Sequence, residues 1–281
     1  MDALAELWSY DFLRHALLAS LAASVLCGVV GTLVVVKRLV FLGAGLSHAA
    51  FGGLGFCYWL GVEPTLGAGV VAVASALVLG RGAERSRPHD ATVGILWAVG
   101  MAAGIVFVHQ TPGYAPNLMT DLFGNVLAVG GREVAAVWVL ALLVVAALAT
   151  FYQETVAVAF DEEFAAVQGV RTGAVTTAIL LLTALAVVFL IQLVGIILVI
   201  ALLTIPPVAA LALFRGFRAV VVASTAFGVL MTVGGLALSY AFDLPSGPAM
   251  VLLGAAGLLL LAAGRRLARV RTSAVRTSAA R

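Results

Sequence analysis

The stretch QLVGIILVIALLTIPPVAALAL, residues 192–213, has no charged side chain, and after Gln192 its one polar side chain is Thr204. An apolar run of about 20 residues crosses the hydrocarbon of a bilayer as a helix, so this segment makes the chain a membrane protein. It also contains Pro206-Pro207. Two prolines remove two backbone donors and crowd the preceding turn, which predicts a kinked or broken helix there. A bilayer tolerates this only where the freed carbonyls face protein or water. The residues leave two readings open: a broken helix beside a transport path, or a static kink that shapes packing.

Outward from this stretch the same pattern repeats. Apolar segments fall at roughly 12–36, 41–61, 64–80, 91–108, 134–151, 173–192, 194–213, 219–241 and 247–264. Of 281 residues, 63% are hydrophobic and 10% charged, with a mean hydropathy of +1.16, far from the balance of a soluble domain. The expected fold is all-α: a polytopic transmembrane helical bundle of nine spans, or eight if 173–213 holds a re-entrant segment or a fused pair. One membrane domain covers 1–264, and a basic tail covers 265–281. Cys27 and Cys57 both fall inside apolar spans and read as small packing residues. The N-terminus MDALAELWSYDFLRH lacks the basic n-region of a cleavable signal, so insertion is expected to rely on the first span.

Basic residues set the orientation. With the N-terminus outside and the C-terminus cytoplasmic, only Arg14 and Arg132 of the 16 lysines and arginines are left outside. The pI of about 9.2 then follows from inward loops and the tail, and needs no nucleic acid. Such a tail reads as a solvated end lying near lipid.

Two loops stand apart. Residues 109–125, HQTPGYAPNLMTDLFGN, face outward in this arrangement, and residues 160–173, FDEEFAAVQGVRTG, face inward. In the second, Asp161, Glu162 and Glu163 open a short helix, over about 161–169, where the helix dipole favours acidic side chains. Phe164 and Val167 fall on one of its sides. A cytoplasmic helix too short to span, acidic at its start and apolar on one face, suits docking to another protein. The alternative is an amphipathic connector on the membrane surface, against which the acidic start argues, since anionic lipid attracts basic helices.

His48 is the other singular residue. In GAGLSHAAFGG, residues 43–53, Ala44, His48 and Gly52 share one helical face, flanked by Gly45, Ala49 and Gly53. That face has little bulk beyond the imidazole, so close helix packing or a cavity is implied. His48 lies about 10 Å into the membrane from Phe41 at the helical rise, where an ionisable group marks a pathway or bonds across a helix interface. Ser47 reads as a hydroxyl bonded to its own backbone. Nothing in the chain resembles a nucleophile with its base, a phosphate-binding loop or a paired intramembrane carboxylate, so an enzyme is the weaker class. With no nucleotide site of its own, uphill transport needs an ion gradient or a separate subunit.

Six pieces in order carry a family likeness: VVVKRLVFLGAGLSHAAFGGLGFCYWLG at 34–61, DATVGILWAVGMAAGIV at 90–106, DLFGNVLAV at 121–129, FYQETVAVAFDEEFAAVQGV at 151–170, QLVGIILVIALLTIPPVAALAL at 192–213 and DLPSGPAMVLL at 243–253. The chain resembles the integral-membrane permeases of ATP-binding-cassette importers for zinc, manganese or iron, the ABC-3 type. The likeness implies a permease homodimer in a prokaryotic plasma membrane, two cytoplasmic ATP-binding subunits and an extracytoplasmic metal-binding protein. It also implies a divalent metal ion as cargo, with no permanently bound cofactor and with ATP held by the partner subunit. The family's metal motif commonly has an aspartate four residues before the histidine; here that position is Ala44. One imidazole per chain cannot satisfy a tetrahedral or octahedral ion. A second His48 across a dimer axis, or a carboxylate such as Asp121 or Asp90, would complete the shell, or water would fill it. Asp90 also reads as the N-cap of the span that follows, Asp121 as solvated or touching a receptor, and His109 as interfacial. Two other functions remain: the permease of an iron-chelate or corrinoid importer, and a gradient-driven secondary transporter. The latter would favour carboxylates at span centres, and none is placed there.

Overall fold

The computed structural model of the chain describes residues 10–83, 90–111, 124 and 126–279, with the side chains of all but 81–83, 90 and 267–279. Its helices are α1 (Asp11–Val36), α2 (Val40–Trp59), α3 (Pro64–Ala83), α4 (Asp90–Gln110), α5 (Gly131–Thr150), α6 (Tyr152–Phe160), α7 (Glu162–Val167), α8 (Thr172–Leu213), α9 (Phe217–Phe242) and α10 (Ser246–Ala279), with one 3-10 turn at Val126–Ala128. The described residues include no strand. Seven of these helices, α8 counted once, are long and apolar enough to cross a membrane, and Pro64–Gly80 of α3 is a shorter apolar stretch.

A helix that is apolar all round belongs in the interior of a bundle, and α1 is placed there. Ala16, Ala19, Ala22, Ala23 and Leu26 are fully buried, and the helix packs against α5, α8 and α9. Hydrocarbon provides no hydrophobic drive between helices, so close approach and buried hydrogen bonds must hold them together. Gly28 of α1 faces Thr225 of α9, and Gly31 faces the backbone of Leu203 in α8. The Ser24 and Thr232 hydroxyls pair across α1 and α9 at 3.1 Å.

Side-chain contacts identify the two ends of the bundle. At one end, Lys37, Glu162 and Thr176 meet, and Arg218 lies 4.7 Å over the Tyr152 ring. At the other, Gln192 donates to the Thr65 hydroxyl. Thr176 to Gln192 is therefore one crossing, roughly 24 Å at the helical rise. Had α8 continued in that direction, Leu203 would lie beyond the bundle. Instead its backbone packs on Gly31, and Phe217 joins Leu33, Ala159 and Ile179 in a cluster back at the Lys37 end. The chain reverses at Gly195 (φ 77, ψ 161), the one non-helical residue inside α8, in a region of backbone space open almost only to glycine. With α8 traversing twice, the described chain passes nine times between the ends.

Of the two readings open at Pro206-Pro207, the broken helix is thus corrected. The backbone stays helical through both prolines, and the chain turns at Gly195. The carbonyl of Leu203 would accept from residue 206 or 207, and neither has an N–H. That carbonyl faces protein rather than lipid, packed on Gly31 where a built Cβ would stand 2.6 Å from the oxygen, the setting in which a bilayer tolerates proline inside a helix. The expected short helix over 161–169 is Glu162–Val167. Asp161 is extended and caps it by accepting from Phe164 N at 2.9 Å, and Gly169 turns the chain at φ 84. The tail beyond 264 continues α10 without a backbone break as far as Ala279.

Candidate functional site

Along their shared face, α2 and α4 run parallel in near-backbone contact. A Cβ built on Gly52 would stand 2.8 Å from the Gly100 carbonyl oxygen, and one on Gly55 would stand 2.5 Å from that of Gly104. Close packing is therefore what the small-residue face of α2 provides. The approach brings Trp97 of α4 over His48, ring centroids 4.2 Å apart and 30° from parallel, and the same indole lies 5.9 Å from the Phe41 ring. His48 is 9% exposed.

Its Nδ1 lies 2.9 Å from the carbonyl oxygen of Ala44, one turn earlier. A carbonyl only accepts, so Nδ1 carries the proton, and in the neutral ring it is Nε2 that holds the free lone pair. This is the arrangement in which a backbone carbonyl orients a histidine for metal. The Ser47 hydroxyl bonds to Gly43 O at 3.0 Å, the backbone role expected of it. Among the described residues no group of three or more His, Cys, Asp or Glu side chains gathers to hold a metal. Asp121 and the side chain of Asp90 lie outside the described residues. Beside His48 the outer face of α4 is uncovered: Ile95 is 65% and Val99 61% exposed. These two line an apolar cleft of about 760 Å³ together with Gly52, Phe56 and Val70.

At the Gln192 end a polar recess of about 540 Å³ opens between α2, α3, α5 and α8, with Tyr58, Glu63, Glu133 and Gln192 on its walls. At the opposite end α7 turns Ala165 inward, 1% exposed, and presents Phe164 and Val167 at 57% and 85%. The three acidic residues divide their tasks. Asp161 is the cap, and Glu162 faces inward to Lys37 Nζ at 3.3 Å. Thr176 joins both, accepting from Lys37 Nζ at 2.7 Å and donating to the other Glu162 oxygen at 3.3 Å. Among the described residues Glu163 makes no ion pair. The Lys37 side chain is 6% exposed. Burial pushes its ammonium below the usual lysine range, and the Glu162 charge and hydrogen bond oppose that shift.

Two residues were not singled out from sequence. Trp97 sits in an otherwise ordinary apolar span, where an aromatic carries no signal of a neighbour on another helix. Lys37 read as one of many inward charges, and its signal would have been that it follows a helix uncharged from Ala16 to Val36, with Glu162 as a free carboxylate on the same side of the membrane.

The ABC 3 transport family matches residues 9–264, nearly the whole chain. The chain belongs to that family. As an ABC 3 chain it is a transporter subunit. It is similar to the manganese transport system membrane protein MntC of Listeria monocytogenes, 33% identical over 247 residues that cover 88% of each chain. It is also similar to the membrane protein slr2045 of Synechocystis, 34% identical over 95% of each. Its fold is that of PsaBC from Streptococcus pneumoniae, solved in complex with Fab, with a TM-score of 0.83 and 25% identity over 93% of this chain and 95% of that one. The all-α bundle expected from sequence is therefore the family's.

Proposed function

We propose that this chain is the membrane-spanning subunit of an ATP-driven importer that moves a divalent transition metal, manganese, zinc or iron, into the cell by alternating access. The observation that carries this reading is α7: an acidic, capped helix of one and a half turns with Phe164 and Val167 uncovered. It lies at the end of the bundle that the basic residues assign to the cytoplasm. A chain without a nucleotide site needs such a surface to receive work from an ATP-binding subunit. His48 supports the cargo, because its Nε2 is the open lone pair of a neutral imidazole, a suitable donor for these metals. The name of the Listeria relative puts manganese first among them.

In this reading two copies pair with the uncovered faces of α4 inward, so that two His48 rings, with Asp121 as a further donor, line the path. The polar recess at Glu63 and Glu133 receives metal from an extracytoplasmic binding protein. The subunit sits in lipid of a prokaryotic plasma membrane with its N-terminus outside and residues 265–281 as a basic cytoplasmic tail. The 1–264 domain carries the transport, and ATP is hydrolysed on the partner. The test is uptake by the purified complex in liposomes with competing manganese, zinc and iron. Uptake must require ATP and the co-purified ATP-binding subunit. Transport by this chain alone, driven by a proton gradient, would overturn the assignment.

A further inference from the structure

Lys37 ends the most buried helix of the bundle, yet it carries a charge. Its side chain is 6% exposed, and an ammonium so enclosed is costly unless paired. The two partners within reach are Glu162 of α7 and Thr176 of α8. Glu162 is the first residue of α7, and its second oxygen is held by the same threonine. Two consecutive elements, 125 and 139 residues away in sequence, thus converge on one ammonium.

The position of Lys37 adds the second half of the argument. It is followed by Arg38, in the left-handed region at φ 58, and by Leu39, after which α2 begins at Val40. Within this turn Leu39 N bonds back to Val34 O at 2.7 Å, so the link is tight rather than slack. The contact therefore ties Glu162, through Lys37, to the turn that starts the helix carrying His48, two turns further on.

We infer that Lys37 is a positioning residue which couples α7 mechanically to α2, so that work received by the docking helix reaches the His48 site. This rests on the reading of α7 as the docking helix for an ATP-binding subunit. The pair acts as a strut: with both partners present α7, α1 and the start of α8 move together, and without it α7 moves alone. A physical chain of contacts becomes coupling only when both ends are shown to depend on it, and the experiment is built on that point.

The complex of this chain with its ATP-binding subunits, in liposomes, is assayed for manganese uptake per ATP hydrolysed, for co-purification of the subunits and for melting temperature. The variants are Lys37→Met, Glu162→Gln, the two combined, and the exchanged pair Lys37→Glu with Glu162→Lys. Expected are retained co-purification and ATP hydrolysis in each single variant, with uptake per ATP lowered about fivefold or more, a range set by coupling between contacting groups. The combined variant should be little worse than either single one, and the exchanged pair should recover part of the loss. A merely structural role would lower the melting temperature and leave uptake per ATP unchanged in the complex that survives. That result overturns the inference, as does additive loss in the combined variant with no recovery in the exchanged pair. If Lys37→Met fails to assemble, Glu162→Gln and Thr176→Val decide the matter by the same ratio. If the unaltered complex does not couple ATP to uptake, the docking reading fails, and this inference falls with it. If the unaltered complex couples and the variants match it, the strut alone is wrong.

Discussion

Gly31→Ala puts a single methyl where α1 meets α8, and its outcome separates two opposing effects. Alanine is better than glycine inside a helix by about 1 kcal/mol, so with space around it the substitution would stabilise. At Gly31 the new Cβ would stand 2.6 Å from Leu203 O, 3.0 Å from its Cα and 3.1 Å from its carbonyl carbon. All three are backbone atoms of a helix that cannot swing aside as a side chain would. Overpacking of this kind costs about 1–3 kcal/mol. Set against the alanine gain, the net expectation is a loss of about 1–2 kcal/mol, or a melting temperature lower by roughly 2–8 °C in a chain near this length. The control is Gly69→Ala on α3, where a Cβ would find nothing within 4 Å. Thermal unfolding of both variants in detergent is the assay. Equal melting of Gly31→Ala and Gly69→Ala would show that α1 and the returning half of α8 do not meet at this point, and the account of the proline pair would be wrong.

His48→Ala is expected to abolish or sharply lower metal uptake at limiting metal while the complex still assembles, and unchanged uptake would make His48 a packing residue. Ala44→Asp leaves the backbone carbonyl that orients His48 in place and adds a carboxylate one turn away, so metal should bind more tightly and leave more slowly, as read by isothermal titration and efflux. Phe164→Ala removes an uncovered aromatic anchor of the kind worth about 2 kcal/mol or more in interfaces; the ATP-binding subunit should dissociate or hydrolyse ATP without transport, and intact co-purification with full coupling would refute the docking role. Asp161→Ala should weaken the same contact through loss of the cap, by about 1 kcal/mol, whereas Asp161→Asn, which still accepts from Phe164 N, should not.

Nine apolar segments were legible because each passage must satisfy its backbone internally, and this forces long apolar runs between polar breaks. The small-residue face of α2 was legible too, since glycine at helical spacing permits close approach whatever the partner. The location of the reversal was not. Proline announces a lost donor, but the orphaned Leu203 carbonyl found Gly31 on another helix, and no local rule foretells that. Gly195 looked like one of many glycines, and only its positive φ reveals its use. The acidic start of α7 was read as one group with one role. In the fold it becomes a cap, an ion pair and one carboxylate without an ionic partner among the described residues, because burial of Lys37 singles out Glu162. His48 was found as a lone ionisable group on a bare face, but the tautomer that frees Nε2 depends on an Ala44 carbonyl whose availability sequence does not show.

The single-residue joint at Gly195 has a consequence for biogenesis. Residues 172–194 and 196–213 are two crossings with no loop between them, and the residues on either side of the joint, Val194 and Ile196, are uncharged. Nothing at that point can hold one side of a membrane by the charge bias that orients ordinary segments. The instructions lie at the outer limits of the pair, in Arg171 before it and in Arg215 and Arg218 after it. Neither crossing can be released into lipid while the other waits, so the pair must leave the insertion machinery as one hairpin. Lengthening the joint with a charged linker would divide that single insertion event into two.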